Sequence, residues 1–261
     1  MKILDMATLG VPIIHGWPLV TAKNCFDVAK KCGIIPWKET FPRQTLRSYL
    51  ASATLKQIKD AENFAPKVFV AHHRDPHKDA PFDVFGVRFK PYSCVMAFIS
   101  HPEHGLLVAS TVEWKGGNNK ITIVPVCGVP GPDEADTKDM PKKMLMTASR
   151  EFLEETGFTL NSLVPLSPDN GLWAIVRNAH VVCYPFLGQI DMNIPQGPTK
   201  LDENEQIQMV LFTLPEWMKL IEDPSVFDGH NEFGLEACTR DVTYSALRRM
   251  GLLQMNYPQQ V

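Results

Sequence analysis

Hydrophobic and polar positions change period along this chain, and the changes outline its elements. Residues 21–32 read as a short helix, with Thr21 as cap and Gly33 as stop. Residues 43–65, rich in Leu, Ala and Lys, read as a second helix ended before Pro66. From Lys67 the period shortens toward two. Residues 68–71 and 82–89 are expected as strands around a turn-rich tip at 77–81. Strands at 92–100, 106–112 and 120–126 follow, separated by turns at 102–105 and 116–119. A Pro/Gly/Asp loop at 128–141 leads into a helix at 142–156, whose Leu145, Ala148 and Phe152 form an apolar face, with Gly157 as its C-terminal cap. Further strands are expected at 174–176, 181–187 and 206–213, and helices at 215–222 and 242–252. Mixed strands with outer helices imply an α+β or three-layer αβα architecture.

Composition narrows the class without naming a chemistry. At 261 residues the chain can bury one large core, and 44% hydrophobic with 21% charged residues is ordinary for a globular protein. A net charge of -3 gives no support for a nucleic-acid-binding surface or a polybasic membrane anchor. No apolar run suggests a spanning helix, and residues 1–20 lack the basic start and clean apolar stretch of a secretory signal. A cytoplasmic location is the default expectation, with a mitochondrial one left open. Six cysteines, at 25, 32, 94, 127, 183 and 238, show no CxxC pair and no compact framework. They read as buried free thiols, a catalytic thiol being the lesser alternative. The eight histidines give no metal-ligand spacing.

Chemistry concentrates at the end of the helix over 142–156. Arg150 and the carboxylates Glu151, Glu154 and Glu155 fall within six residues, closed by Gly157. On a helix these carboxylates converge on one face, where like charges repel unless a cation sits among them. Oxygen ligands of this kind suit Mg2+ or Mn2+, ions that commonly bridge to substrate phosphates. A solvated acidic helix end is the alternative reading of the same residues.

With Gly128 and Glu134 upstream, the run Arg150-Glu151-Phe152-Leu153-Glu154-Glu155-Thr156-Gly157-Phe158 resembles the Nudix box, G-x5-E-x7-R-E-U-x-E-E-x-G-U, where U is bulky and apolar. Fifteen residues separate Glu134 from Arg150 where the box has seven. Either Glu134 or, by rigid alignment from Arg150, Lys142 occupies the slot of the first glutamate. The loop Asp202-Glu203-Asn204-Glu205 is similar to that of ADP-ribose pyrophosphatases within the superfamily.

The resemblance covers residues 67–250 and implies a Nudix-type αβα sandwich over 92–261. It also implies amino-terminal strands over 67–91 that pair two copies into a homodimer. Residues 1–66 are expected as an amino-terminal extension, mostly helical with strand content, of unknown role. Metal ligands would be Glu151, Glu154, Glu155, Glu205 and the backbone carbonyl of Cys127. Glu203 would serve as general base and Arg150 would orient the glutamates. Arg74, Gly128, Glu134 and Trp114 are the expected substrate contacts, while Phe85 and Trp173 are weaker candidates for holding a base. The implied reaction is Mg2+- or Mn2+-dependent hydrolysis of a pyrophosphate, in ADP-ribose or a related nucleotide sugar. A UDP-sugar pyrophosphatase, a capped-RNA hydrolase and a non-catalytic ligand sensor or RNA-complex subunit are the competing readings.

Overall fold

The structure, a computed structural model, describes residues 6–36, 48, 51–58, 67–74, 81–115, 120–134, 137–168, 171–176, 179–194, 196–201 and 205–253. In chain order the strands begin with β1 (Ile13–Ile14) and β2 (Trp17–Val20), followed by helix α1 (Cys25–Lys31). Then come β3 (Lys67–Arg74), β4 (Pro81–Arg88), β5 (Tyr92–His101), β6 (Gly105–Lys115), β7 (Lys120–Val124) and β8 (Val126–Gly128). Helix α2 (Met140–Thr156) precedes β9 (Leu160–Pro165), β10 (Leu172–Val176), β11 (Ala179–Ile190) and β12 (Ile207–Thr213). Helix α3 (Leu214–Glu222), β13 (Phe233–Leu235) and helix α4 (Cys238–Arg249) complete the order.

These elements fall into two units. The larger comprises Met1–Pro36, Tyr92–Leu172 and Cys183–Val261, and the smaller Trp37–Pro91 and Trp173–Val182.

In the larger unit the strands follow the order β1-β2-β12-β6-β5-β11. The pairs β2–β12 and β5–β11 are parallel, whereas β12–β6 and β6–β5 are antiparallel, so the sheet is mixed. The molecule is α+β. Its core takes Phe98, Val108 and Phe212 from the strands, Phe26 from α1, and Trp217, Leu220 and Ile221 from α3. The Trp217 ring is fully buried, and its Nε1 donates to Thr243 Oγ1 at 3.0 Å, so its one polar atom is satisfied.

Several sequence expectations change in the fold. The strand expected over 120–126 is two strands, because Pro125 has no amide to donate to a ladder. The Val124 carbonyl at the break accepts from Ser110 Oγ and Thr111 Oγ1, each at 2.8 Å. Helix α2 begins at Met140, with Asp139 capping the Lys142 amide. Its buried face is Met144, Ala148 and Phe152, whereas Leu145 is exposed.

Residues 6–36 contain both strand and helix. They supply β1, β2 and α1 to the sheet and core of the larger unit. The β1–β2 hairpin turns through His15 (φ 49) and Gly16 (φ 81), the two left-handed positions a tight hairpin requires.

In the smaller unit β3 and β4 form a regular antiparallel hairpin, from Lys67↔Arg88 to Arg74↔Pro81. Val70 and Phe85 are cross-strand partners and both are exposed. Part of the helix expected over 43–65 lies outside the described residues. Within them it is interrupted at 53–54, where Thr54 and Gln57 exchange bonds in a capping box that opens a new helical segment at Leu55.

Candidate active site

Helix α2 presents its acidic residues toward the chain that follows β8, and glycine is what lets the two approach. A side-chain carbon at Gly128 would overlap Cγ and Cδ of Glu151. This position therefore has room for the glutamate or a Cβ, not both.

Arg150 gathers the surrounding charges. Its Nε donates to Glu134 Oε1 at 3.0 Å and its Nη1 to Glu154 Oε2 at 2.7 Å. Nη2 reaches Glu151 Oε1 at 2.9 Å and the Val129 carbonyl at 3.0 Å. The guanidinium thus spans three carboxylates from two elements, and its planar fork suits that task. The long loop does not carry Glu134 away. Its carboxylate is buried and also accepts from Thr147 Oγ1 and the Gly131 amide, each at 2.8 Å. Lys142 lies exposed in the first turn of α2, its amide bonded to Asp139, so Glu134 is the residue brought to Arg150.

The electrostatics separate these carboxylates. Burial alone would raise the Glu134 carboxyl, but the Arg150, Thr147 and Gly131 donors outweigh it and hold it below the ordinary value of 4.5. Burial pushes Glu151 up to about 7 despite Arg150, and the charges of Glu154 and Glu205 add to the rise. Glu151 is therefore an under-compensated carboxylate. Glu155 is 9% exposed on the buried side of the helix.

The donor set fits a hard divalent cation. Glu151, Glu154 and Glu155 offer carboxylate oxygens, Glu205 contributes charge nearby, and Cys127 in β8 has a backbone carbonyl next to the glycine that Glu151 covers. Arg150 holds Glu151 and Glu154 in this structure, and the carboxylate oxygens do not converge on one point among the described residues.

The segment leading to the second acidic loop is tied to the end of α2. Gln196 Nε2 donates to the Thr156 carbonyl at 2.8 Å, the Gly197 amide to Gly157 at 2.7 Å, and the Lys200 amide to Glu154 at 2.7 Å. Gly157 ends the helix at φ 73, and a side chain there would also strike the Gly197 carbonyl. Glu203 lies outside the described residues, so its side chain has no stated position. Glu205 is exposed and described. The Trp114 amide in β6 donates to the Gln206 carbonyl at 3.2 Å, beside Glu205. Arg74 ends β3 in the smaller unit, and of its side chain nothing is described, nor of that of Trp173.

Sequence reasoning missed Thr147, Gly131, Gln196 and Gly197. Thr147 carries a readable signal, a polar residue on the buried face of a helix. The others act through backbone or loop contacts that leave no pattern. Trp17 was also missed; it packs edge-on against Phe158 of the box, with ring centroids 4.8 Å apart.

No family model matches the chain. Over 90 residues it is 27% identical to a protein named ADP-ribose pyrophosphatase from Bacillus subtilis (strain 168), a match covering 34% of this chain and 46% of the relative. The chain therefore spans less than half the length of that relative. Among solved structures it is similar to one titled "Crystal structure of ADP compounds hydrolase", with TM-score 0.48 and 18% identity over 72% of this chain and 97% of the other. The sequence match is thus a resemblance to that relative over about a third of this chain.

Proposed function

We propose that this chain is a Nudix-type hydrolase that splits the pyrophosphate of a nucleoside diphosphate linked to a second group, giving two phosphomonoesters. ADP-ribose or a related nucleotide sugar is the proposed substrate. The observation that carries this reading is the charge cluster itself, in which Arg150 joins Glu134, Glu151 and Glu154 against a glycine that makes room for Glu151. The named activity of the bacterial relative supports the substrate class.

Glu151, Glu154, Glu155, Glu205 and the Cys127 carbonyl would hold Mg2+ or Mn2+. When bound, such ions neutralise diphosphate charge and acidify water. Arg150 is a positioning residue, since its donors are directed to the glutamates and a carbonyl. Glu203 is proposed to take the proton from the attacking water, a task suited to a loop carboxylate ordered by substrate.

Glu155→Gln tests the site. Hydrolysis of ADP-ribose with Mg2+ or Mn2+ is expected to fall by at least about a hundredfold while the thermal transition persists. Near-normal turnover in the folded variant would remove the assignment. A parallel screen of nucleotide sugars, dinucleotides and capped RNA tests the substrate class, and no product from any would favour a binding protein.

We also propose that two copies pair through the β3–β4 hairpin, where Val68, Val70 and Phe85 expose apolar area. Sedimentation is expected to give a dimer that Phe85→Asp converts to a monomer. A monomeric unsubstituted chain would overturn this arrangement.

A further inference from the structure

Four of the six cysteines meet within the larger unit, although the chain spaces them widely. Cys94 lies in β5, Cys127 in β8, Cys183 in β11, and Cys238 opens α4. Strand pairing brings the first three together. Cys94 and Cys127 are direct antiparallel partners, and Cys183 lies opposite Tyr92, two residues before Cys94 on the same strand. The sulfurs of Cys94, Cys127 and Cys238 lie within 4.8 Å of one another. The Cys183 thiol interacts with those of Cys94 and Cys238 and with the Tyr92 hydroxyl.

We propose that Cys94, Cys127 and Cys238, closed by Cys183, form a binding site for a thiophilic d10 cation, Zn2+ being the natural occupant. Tetrahedral zinc with bonds of about 2.3 Å holds its sulfurs about 3.8 Å apart, so the observed triad needs only a small contraction. Cys94 is fully buried and fixed in the sheet, whereas Cys127 and Cys238 are half-buried and can close on it.

The surroundings suit an anionic sulfur cluster. Cys238 is the first residue of a twelve-residue helix, whose amides and dipole favour negative charge at that end. The Tyr92 hydroxyl lies against Cys238 and Cys183 and provides a donor to sulfur. Each thiol that becomes a ligand releases its proton, so uptake is proton-coupled and weakens in acid. Occupancy would also fix β8 beside Gly128, the residue against which Glu151 lies. The cluster shares Cys127 with the proposed hydrolytic site, through its thiol and not its carbonyl, and the inference stands without that reading.

The test is cobalt and zinc titration of the full chain, stripped of metal and fully reduced. The expected result is one sulfur-bound Co2+ per chain, with an intense thiolate-to-cobalt charge-transfer band, tetrahedral d–d bands and displacement by Zn2+. Cys238→Ser should abolish the band. Cys32→Ser, which alters a thiol outside the cluster, and Glu155→Gln should both retain it, the latter separating this site from the hydrolytic one. The proposal is overturned by no sulfur-to-cobalt band in the reduced unsubstituted chain, or by an undiminished band in Cys238→Ser. A Cys94–Cys127 disulfide that forms in air and is not prevented by saturating Zn2+ would also overturn it. Should Cys238→Ser not fold, the spectrum of the unsubstituted chain still decides.

Discussion

The Glu134 carboxylate accepts from Arg150, Thr147 and the Gly131 amide, and these donors favour its ionised form. Its folded pKa is depressed, so the stabilisation it supplies is present above the ordinary value of 4.5 and is lost as pH falls through the lower folded value. Glu134→Gln keeps the shape but removes the charge opposite Arg150. It is expected to lower stability near neutral pH by about 1–3 kcal/mol. Denaturant curves for both proteins should converge as pH falls below about 4.5. A gap that stays constant into acid would mean that Glu134 acts through packing alone. Residue identity was legible here only in part. The box pattern named Glu134 and Lys142 as rivals, and the outcome depended on the path of a loop, which residue spacing does not encode.

At the scale of elements, the regular segments were readable because their periods were strong. The strands at 92–101 and 207–213 and the helix at 140–156 lie where alternation and capping placed them, within a few residues. β1, β2 and β13 span only two to four residues each, too few for a period to register. Gly157 shows how a readable cap can carry a second, unreadable role. Both Gly157 and Gly251 have φ 73, but a side chain at Gly251 meets open space and one at Gly157 strikes the Gly197 carbonyl. Gly251→Ala should therefore cost only the left-handed conformation, about 1–2 kcal/mol. Gly157→Ala should cost about 1–3 kcal/mol more, from overpacking against backbone. It should also speed proteolysis or amide exchange around residues 196–201. Equal effects of the two substitutions would show that the helix end does not hold that segment.

The larger unit is assembled from parts far apart in sequence, and this is where the sequence reading stopped. The cysteine cluster draws on β5, β8, β11 and α4, whose meeting follows from sheet order and not from any local spacing. The amino-terminal segment is the same kind of case. Read alone it looks like an appendage, yet β2 pairs with β12, Trp17 packs on Phe158, and Phe26 is completely buried among Phe227, His230 and Phe233. An appendage can be removed at no cost to what remains. A strand and helix that cover a core cannot, because their loss exposes apolar surface worth about 25 cal/mol per Å2 and leaves one edge of β12 unpaired. Phe26→Ala is accordingly expected to destabilise the chain by about 3–5 kcal/mol. A chain beginning at Trp37 should show no cooperative thermal transition by circular dichroism and none of the proposed hydrolysis. A cooperative transition at the full-length temperature would restore the appendage reading, and it would place the box within a fold that needs none of β1, β2 or α1.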